Sequence, residues 1–394
     1  MTHPASSPMP EIPPDRADGR SSWVHHALII TGTIGQIAPL KLLPAWIALA
    51  AIAGWPWQSR RLPAILLSAL FLAADGAMLG LLPVKGRSWG PVTPSLLALT
   101  LARAVLMGLG AWLAPTGMGL ALVALIQALV SAAAIYATWV EPFRLGVTRR
   151  EYHPPHWENA LPLQVLHISD LHFEGLSPRE NALLAQVAEL QPDLILLTGD
   201  YLNLSSVYDA AAQEGARRVL AQLHAPLGVY AVTGSPVVDI VGIVPGIFAG
   251  LDIHWLDDEA ITLQHGHDSI RLLGVRTTYD EDRDAAVLKR LIQQSPGDSF
   301  KLLLYHTPDL MPVASQVGVD LYLCGHTHGG QIRLPFYGAL ATSSRFGKRY
   351  EMGLYREGSC TLYVSRGLGM EGLGAPRARF LTPPEIVLWT FTPD

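Results

Sequence analysis

The stretch from residue 23 to residue 140 is almost without acid. Between Trp23 and Val140 there is one acidic residue, Asp75, against six basic ones: Lys41, Arg60, Arg61, Lys85, Arg87 and Arg103. So little charge over so long a stretch excludes a water-exposed helical domain and points to a bilayer. Cysteine is scarce as well. Cys324 and Cys360 are the only two in 394 residues. Neither has CxxC spacing, which excludes a zinc ribbon, a redox motif and a disulfide framework, and each lies in or beside an apolar run that suits core packing. The clustered Lys and Arg of a nucleic-acid surface are also missing. From Leu161 onward 17 basic residues stand against 26 acidic ones. The length predicts two domains, and the asymmetry reads as a membrane segment joined to an acidic soluble domain.

Residues 1–22 are rich in Pro and Ser and are expected to be a disordered tail. Residues 23–140 are expected to be an all-α transmembrane region of about four helices, with five as the alternative. Leu62–Leu82 and Met118–Val140 are each long enough to cross a hydrocarbon core of ~30 Å. Ser95–Ala114 is also long enough, although it contains Arg103. Trp23–Trp55 supplies either one crossing near Gln36–Gly54 or two short ones broken near Lys41 and Pro44. The recurring apolar segments exclude a cleavable signal peptide. Lys85, Arg87, Arg144, Arg149 and Arg150 fall on one side, with Arg16 and Arg20. Only Arg60 and Arg61 fall opposite. The positive-inside rule then makes this a multi-pass protein of the cell (inner) membrane with its soluble domain in the cytoplasm. Asp75 and Arg103 lie inside predicted spans, where an ion pair between neighbouring helices is the simplest reading. Anchoring is the simplest role for this half. It offers no relay of polar groups for a transporter.

Residues 141–160 read as a polar linker containing Pro154-Pro155. From 161 to 394 the pattern changes to short β-rich runs ending in polar residues or glycine. Strands are expected at Leu163–Ser169, Leu194–Thr198, Val229–Thr233, Ser269–Val275, Lys301–Tyr305, Leu321–Cys324, Thr361–Ser365 and Glu385–Phe391. Helices are expected at Ser177–Leu190, capped by Ser177 with Pro178 at the first position, at Ser206–Leu223 and at Asp284–Gln294. This order gives an α/β domain of packed sheets flanked by helices.

Asp and His recur where these strands end. Asp170-Leu171-His172 follows the first, Gly199-Asp200 the second, His306 the fifth and Gly325-His326-Thr327-His328 the sixth. Functional groups of α/β sheets gather outside the carboxyl ends of strands, and carboxylate with imidazole suits Zn, Fe, Mn and similar ions. A shared acid can hold two ions ~3.5–4 Å apart, where they clamp a phosphate and activate water. Gly199, Gly325, Gly329 and Gly330 permit tight turns that aim such ligands. Asn203 reads as a turn residue, His167 as packed, and His265 and His267 as part of a hairpin. With His25-His26 at the membrane entry, none of these is assigned to the site.

The four motifs in this order resemble the calcineurin-like metallophosphoesterases over about Leu161 to the C-terminus. The flanking text is similar too: Ile168-Ser169-Asp170-Leu171-His172, Leu197-Thr198-Gly199-Asp200 and Gly325-His326-Thr327-His328-Gly329-Gly330-Gln331. The tail Ser365-Arg366-Gly367-Leu368-Gly369, Arg379-Phe380 and Pro384-Glu385-Ile386 resembles the membrane-anchored bacterial branch. The resemblance implies two packed mixed β-sheets flanked by helices and two divalent ions (Mn, Fe or Zn). Asp170, His172 and His328 would hold the first ion, His306 and His326 the second, and Asp200 would bridge both. It implies hydrolysis of phosphomonoesters or phosphodiesters by a metal-activated hydroxide, and a phosphoester partner that is lipid-linked if the anchor serves to hold the domain at the bilayer.

One family signature departs. After Tyr230-Ala231-Val232-Thr233-Gly234 the family has Asn-His, and this chain has Ser235-Pro236. Ser235 would replace an amide oxygen ligand of the second ion, and Pro236 the histidine that contacts the phosphate. A weaker second site and a reduced rate are expected. The alternative is a weak or inactive metal-binding regulatory module tethered to the membrane. Asp239 is near enough in sequence to substitute as a ligand.

Overall fold

The computed structural model describes residues 30–159 and 161–394. The tail expected over residues 1–22 and the His25-His26 pair lie outside the described residues. The chain divides into two compact units. Among the described residues, one comprises residues 30–140 and Gly372–Ala378, and the other Glu141–Glu371 and Arg379–Asp394.

The first unit is helical: α1 (Leu43–Gly54), α2 (Arg61–Val84), α3 (Val92–Leu113) and α4 (Gly117–Ile135). Among the described residues, three helical stretches are long and apolar enough to cross a membrane, namely Pro39–Val84, Val92–Leu113 and Gly117–Phe143. The difference from the four crossings expected lies in Pro39–Val84. That one stretch of 46 residues holds both α1 and α2, joined at Trp55–Arg60, where Gln58 leaves helical geometry with φ 48°. Alone, α1 has 12 residues, which is a rise of about 18 Å and well short of a hydrocarbon core.

The expected Asp75–Arg103 pair is present and buried. Arg103 of α3 donates to both carboxylate oxygens of Asp75 on α2, at 2.6 and 2.7 Å. Its remaining donors reach Gln127 O at 3.0 Å, Gln127 Oε1 at 3.2 Å and Ser131 Oγ at 2.8 Å, all on α4. The Phe71 ring lies 4.7 Å away. The guanidinium therefore ties three helices together, and its charge is matched where water is excluded.

In the second unit the segment expected as a linker contains a strand, β1 (Gly146–Tyr152). It was hidden by its composition: Arg149, Arg150 and Glu151 are exposed, the charged face that an edge strand presents to solvent. The further strands are β2 (Leu163–Ile168), β3 (Leu194–Leu197), β4 (Val229–Ala231), β5 (His254–Trp255), β6 (Glu259–His265), β7 (Asp268–Gly274), β8 (Phe300–Leu304), β9 (Leu321–Cys324), β10 (Arg333–Leu334), β11 (Gly338–Ala339), β12 (Gly353–Glu357), β13 (Cys360–Val364) and β14 (Glu385–Phe391). They form two six-stranded sheets, β1-β14-β2-β3-β4-β5 and β12-β13-β9-β8-β7-β6, with β10 and β11 as a separate hairpin. Both large sheets are mixed. For example, β2, β3 and β4 are parallel, while β14 runs antiparallel to β2.

Strand alternation explains the continuous apolar runs. Leu302 and Leu304 of β8 join Val165, Leu194, Leu196 and Leu323 in the core between the sheets. Leu303 points the other way, into a second core with Leu288 and Leu291 of α8 (Glu281–Gln293, preceded by α5 at Pro178–Leu190, α6 at Ala210–Leu220 and α7 at Val244–Phe248) and Met311 of a short helix at Met311–Val317. A strand buried on both faces has no polar face to show. Cys324 and Cys360 are free and buried in this second core. Over Pro178–Leu190 the expected helix carries a capping box between Ser177 and Glu180. The helix expected from Ser206 begins instead at Ala210, because Asp209 caps it and the Asn203–Asp209 chain folds into successive turns.

Candidate metal centre

The loops after β2, β3, β4, β8 and β9 converge at one end of the two sheets. Two groups of buried side chains meet there: Asp170, His172 and His328, and Asp200, His306 and His326. Within each group the possible ligand atoms all lie within 4.8 Å of one another. These are the six residues singled out in the sequence; Asp200, expected to be shared by both sets, is grouped with His306 and His326.

Backbone conformation marks the loops as built for this purpose. Asp170, His172, Asp200, His326 and His328 all have positive φ, between 41° and 70°. Non-glycine residues rarely adopt this region, and each instance costs ~1–3 kcal/mol. Five of six candidate ligands sharing it means that the surrounding contacts over-determine the loops. Glycine is needed at their closest approaches. A Cβ on Gly199, itself at φ +94°, would stand 2.3 Å from Gly234 N, and one on Gly325 would stand 2.1 Å from Asp170 Oδ2.

Asp200 is central. Its Oδ2 lies 3.2 Å from His306 Nε2 and 3.5 Å from His172 Nε2, one residue from each group. Its Oδ1 accepts the Ser235 backbone N–H at 2.6 Å. His306 is held by its other nitrogen, which donates to Thr198 O at 2.7 Å and leaves Nε2 facing the site. In the first group His172 Nε2 and His328 Nε2 face each other at 3.1 Å, and in the second His306 Nε2 and His326 Nδ1 do the same at 3.1 Å.

These contacts fit cations. A pair of ring nitrogens converges within each group, and Asp170 Oδ2 is buried with no hydrogen-bond partner in the protein. Charge tells the same story. Burial disfavours a charged His306, yet the Asp200 carboxylate beside it carries its pKa up to about 9. Burial would likewise raise Asp200, but His306 and His172 hold it well below the usual carboxylate range. Burial, aided by His306, pushes His326 down to about 3. A positive charge is thus favoured next to Asp200, while His326 and His328 stay neutral, as metal ligation requires.

Ser235 stands at the second group. Its Oγ lies 3.2 Å from Asp200 Oδ2, 3.2 Å from His306 Nε2 and 3.5 Å from His326 Nδ1. Pro236 opens the turn that follows, in which the Val238 and Asp239 N–H groups both donate to Ser235 O. A proline at the first position of a turn loses no hydrogen bond.

Asp239 does not act as a ligand. Its carboxylate accepts three backbone N–H groups, those of Asp200 (2.7 Å), Tyr201 (3.0 Å) and Gly234 (2.7 Å). It staples the β3 and β4 loops to each other from behind. Two further residues escaped sequence reasoning. Arg379 is fully buried and donates to the carbonyls of Arg366, Gly367, Gly369 and Thr382, with Nη2 3.4 Å from His328 Nδ1. Tyr279, in the loop between β7 and α8, sets its ring 6.3 Å from that of His326 and its phenol toward Ser235. No motif marks Tyr279, and Arg379 stands in the family-like tail with no role assigned to it. Asn203 is a buried turn residue that donates to Met370 O at 2.9 Å, and His167 is packed inside β2.

Comparison with known proteins agrees with this geometry. The family model described as calcineurin-like phosphoesterase matches residues 163–330. The chain is 30% identical over 267 residues to the uncharacterized metallophosphoesterase YkuE of Bacillus subtilis, covering 65% of this chain and 88% of that one. The chain belongs to the calcineurin-like phosphoesterase family. It is also 28% identical to the phosphodiesterase YaeI of Escherichia coli over 54% of this chain and 77% of that one. With the UDP-2,3-diacylglucosamine pyrophosphatase LpxG of Chlamydia trachomatis it shares 26% identity over 64% of this chain and 91% of the relative. The family and these relatives make it a metal-dependent phosphoester hydrolase.

Proposed function

We propose that this calcineurin-like phosphoesterase is membrane-anchored, acts on phosphomonoesters or phosphodiesters, and holds its two ions unequally. The observation that carries this is the position of Asp200, one carboxylate oxygen of which lies within 3.5 Å of a histidine from each group. Asp170, His172 and His328 hold the first ion, His306 and His326 the second, and Asp200 bridges. Two divalent ions so placed (Mn, Fe or Zn) clamp a phosphoryl group and lower the pKa of an attacking water. The second ion is the weaker one, because a neutral serine hydroxyl stands where the family has an amide oxygen.

Pro236 offers no hydrogen bond to a phosphate. The Tyr279 phenol, which points to Ser235 beside the second group, takes over that contact. The helices support a bilayer anchor. Lys85, Arg87 and the basic residues after α4 fall on one side of α3 and α4, which puts the hydrolase domain in the cytoplasm. A lipid-linked phosphoester at the inner-membrane surface fits this placement, and LpxG is by name a hydrolase of such a molecule.

Pro236 also favours a second reading, a silent metal-binding module. Assaying the detergent-solubilised chain with manganese and bis-p-nitrophenyl phosphate separates the two. Turnover above a His328→Ala control is expected. Bound metal with no turnover above that control would leave the silent module standing.

A further inference from the structure

Five residues after His328 the chain leaves the site and makes the hairpin of β10 and β11, in which Arg333 pairs with Ala339 and Leu334 with Gly338. The hairpin is fixed at its base. Arg333 Nη1 donates to Gly329 O at 2.9 Å, and Arg333 N donates to Phe380 O at 3.0 Å. Its tip is Pro335-Phe336-Tyr337. Phe336 sits at φ 65° with its side chain wholly in solvent, and Leu334, Tyr337 and Leu340 are 46%, 59% and 49% exposed.

A bulky residue held outward by a left-handed backbone on a proline-stiffened turn is not a packing accident. Contiguous exposed apolar side chains mark a partner surface. Charge narrows the partner. Residues 331–350 contain Arg333, Arg345, Lys348 and Arg349 and no acid, within a half of the chain that is strongly acidic. Glu281, Glu351 and Glu357 pair with these cations, so apolar burial rather than net charge drives the contact. Lys348 Nζ lies 3.8 Å from the centre of the Tyr337 ring. An apolar tip, then a tyrosine, then lysine and arginine is the order of side chains that crosses from acyl chains to headgroups. The chain's own apolar helices, long enough to cross a membrane, would keep a bilayer at high effective concentration.

We propose that the β10–β11 hairpin is an interfacial anchor: Phe336 and its neighbours insert into the bilayer surface and hold the mouth of the metal centre against lipid headgroups. This rests on the membrane-anchored reading but not on catalysis.

The test uses the full chain in liposomes. Phe336→Cys is labelled with an environment-sensitive fluorophore. Cys324 and Cys360 are buried and do not compete for the label. Asp298→Cys, exposed just before β8 at the end of the sheet away from the site, is the control. The label at 336 should shift to the blue and be quenched by lipids carrying a quencher in the bilayer, while the label at 298 should not. Equal, water-like emission at both positions in chains that float with the liposomes overturns the proposal and leaves the anchored reading intact. A chain that does not float sinks both. In a second arm, Phe336→Asp should lower hydrolysis of a phosphoester embedded in the same liposomes about tenfold, the equilibrium worth of burying one large apolar side chain. Hydrolysis of soluble bis-p-nitrophenyl phosphate should not change. A parallel loss on both substrates counts against the anchor and for a structural role of the hairpin.

Discussion

Replacing Ser235 by alanine isolates the hydroxyl that distinguishes this centre. The backbone N–H at 235 donates to Asp200 Oδ1 at 2.6 Å, and alanine keeps that bond, so Asp200 stays aimed. Only Oγ disappears, with its 3.2 Å approaches to Asp200 Oδ2 and His306 Nε2 and its 3.5 Å approach to His326 Nδ1. Losing a partner at the margin of a metal site costs ~10–100-fold in affinity, or about 1.4–2.7 kcal/mol. The first group contains no Ser235 contact, so its ion should bind as before. Manganese titration of the solubilised chain by calorimetry should therefore resolve two events, of which only the weaker is displaced by Ser235→Ala. In the opposite sense, Ser235→Asn with Pro236→His should strengthen the weaker event and raise the rate. Equal weakening of both events by Ser235→Ala, or no change in either, would refute the assignment of Ser235 to the second ion.

Asp239→Asn should destabilise the fold, because an amide NH2 cannot accept and leaves one or two of three buried N–H donors unpaired at ~1–3 kcal/mol each; thermal unfolding checks this. In the helical unit, Asp75→Leu or Arg103→Leu alone should cost ~3–5 kcal/mol by leaving a buried partner uncompensated, and the double replacement Asp75→Leu/Arg103→Leu should cost less than the worse single one. Unfolding in detergent measures all three, and strictly additive losses would count against the pair. His167 is fully buried, and burial pushes its pKa down to about 3 from 6.5. The unfolded chain then binds a proton that the folded chain refuses, so stability is full above pH 6.5 and falls as pH drops toward 3. His167→Gln should flatten that slope relative to the parent chain in denaturant titrations between pH 7 and 4, and identical slopes would contradict the assignment.

Much of the site was legible because its chemistry and its topology coincide. Each ligand follows an apolar strand, and a strand end is a fixed point that sequence can mark. The division into two groups was legible only through the family resemblance, since spacing alone does not send the neighbouring His326 and His328 to different groups. What escaped was supplied by tertiary position alone. Asp239 looked like a spare ligand, yet the turn begun by Pro236 carries it behind the loops, where backbone donors consume it. Tyr279 reaches the centre from a loop that no local pattern ties to it, and Arg379, although part of the family-like tail, gave no sign that it packs against His328. The strand at Gly146–Tyr152 reads as polar linker because an edge strand needs only one protected side. Among the helices, composition announced apolar stretches but not the break at Gln58, which divides one long run into two helices of unequal length.

The most direct measurement is the electron paramagnetic resonance of the manganese-loaded chain and of Asp200→Ala. Two ions sharing one carboxylate sit ~3.5–4 Å apart and couple magnetically. A shared Asp200 requires a coupled pair signal in the parent chain, and in Asp200→Ala its loss together with the loss of phosphodiester hydrolysis. Isolated manganese signals in the parent chain, or a coupled pair that survives in Asp200→Ala, would contradict it.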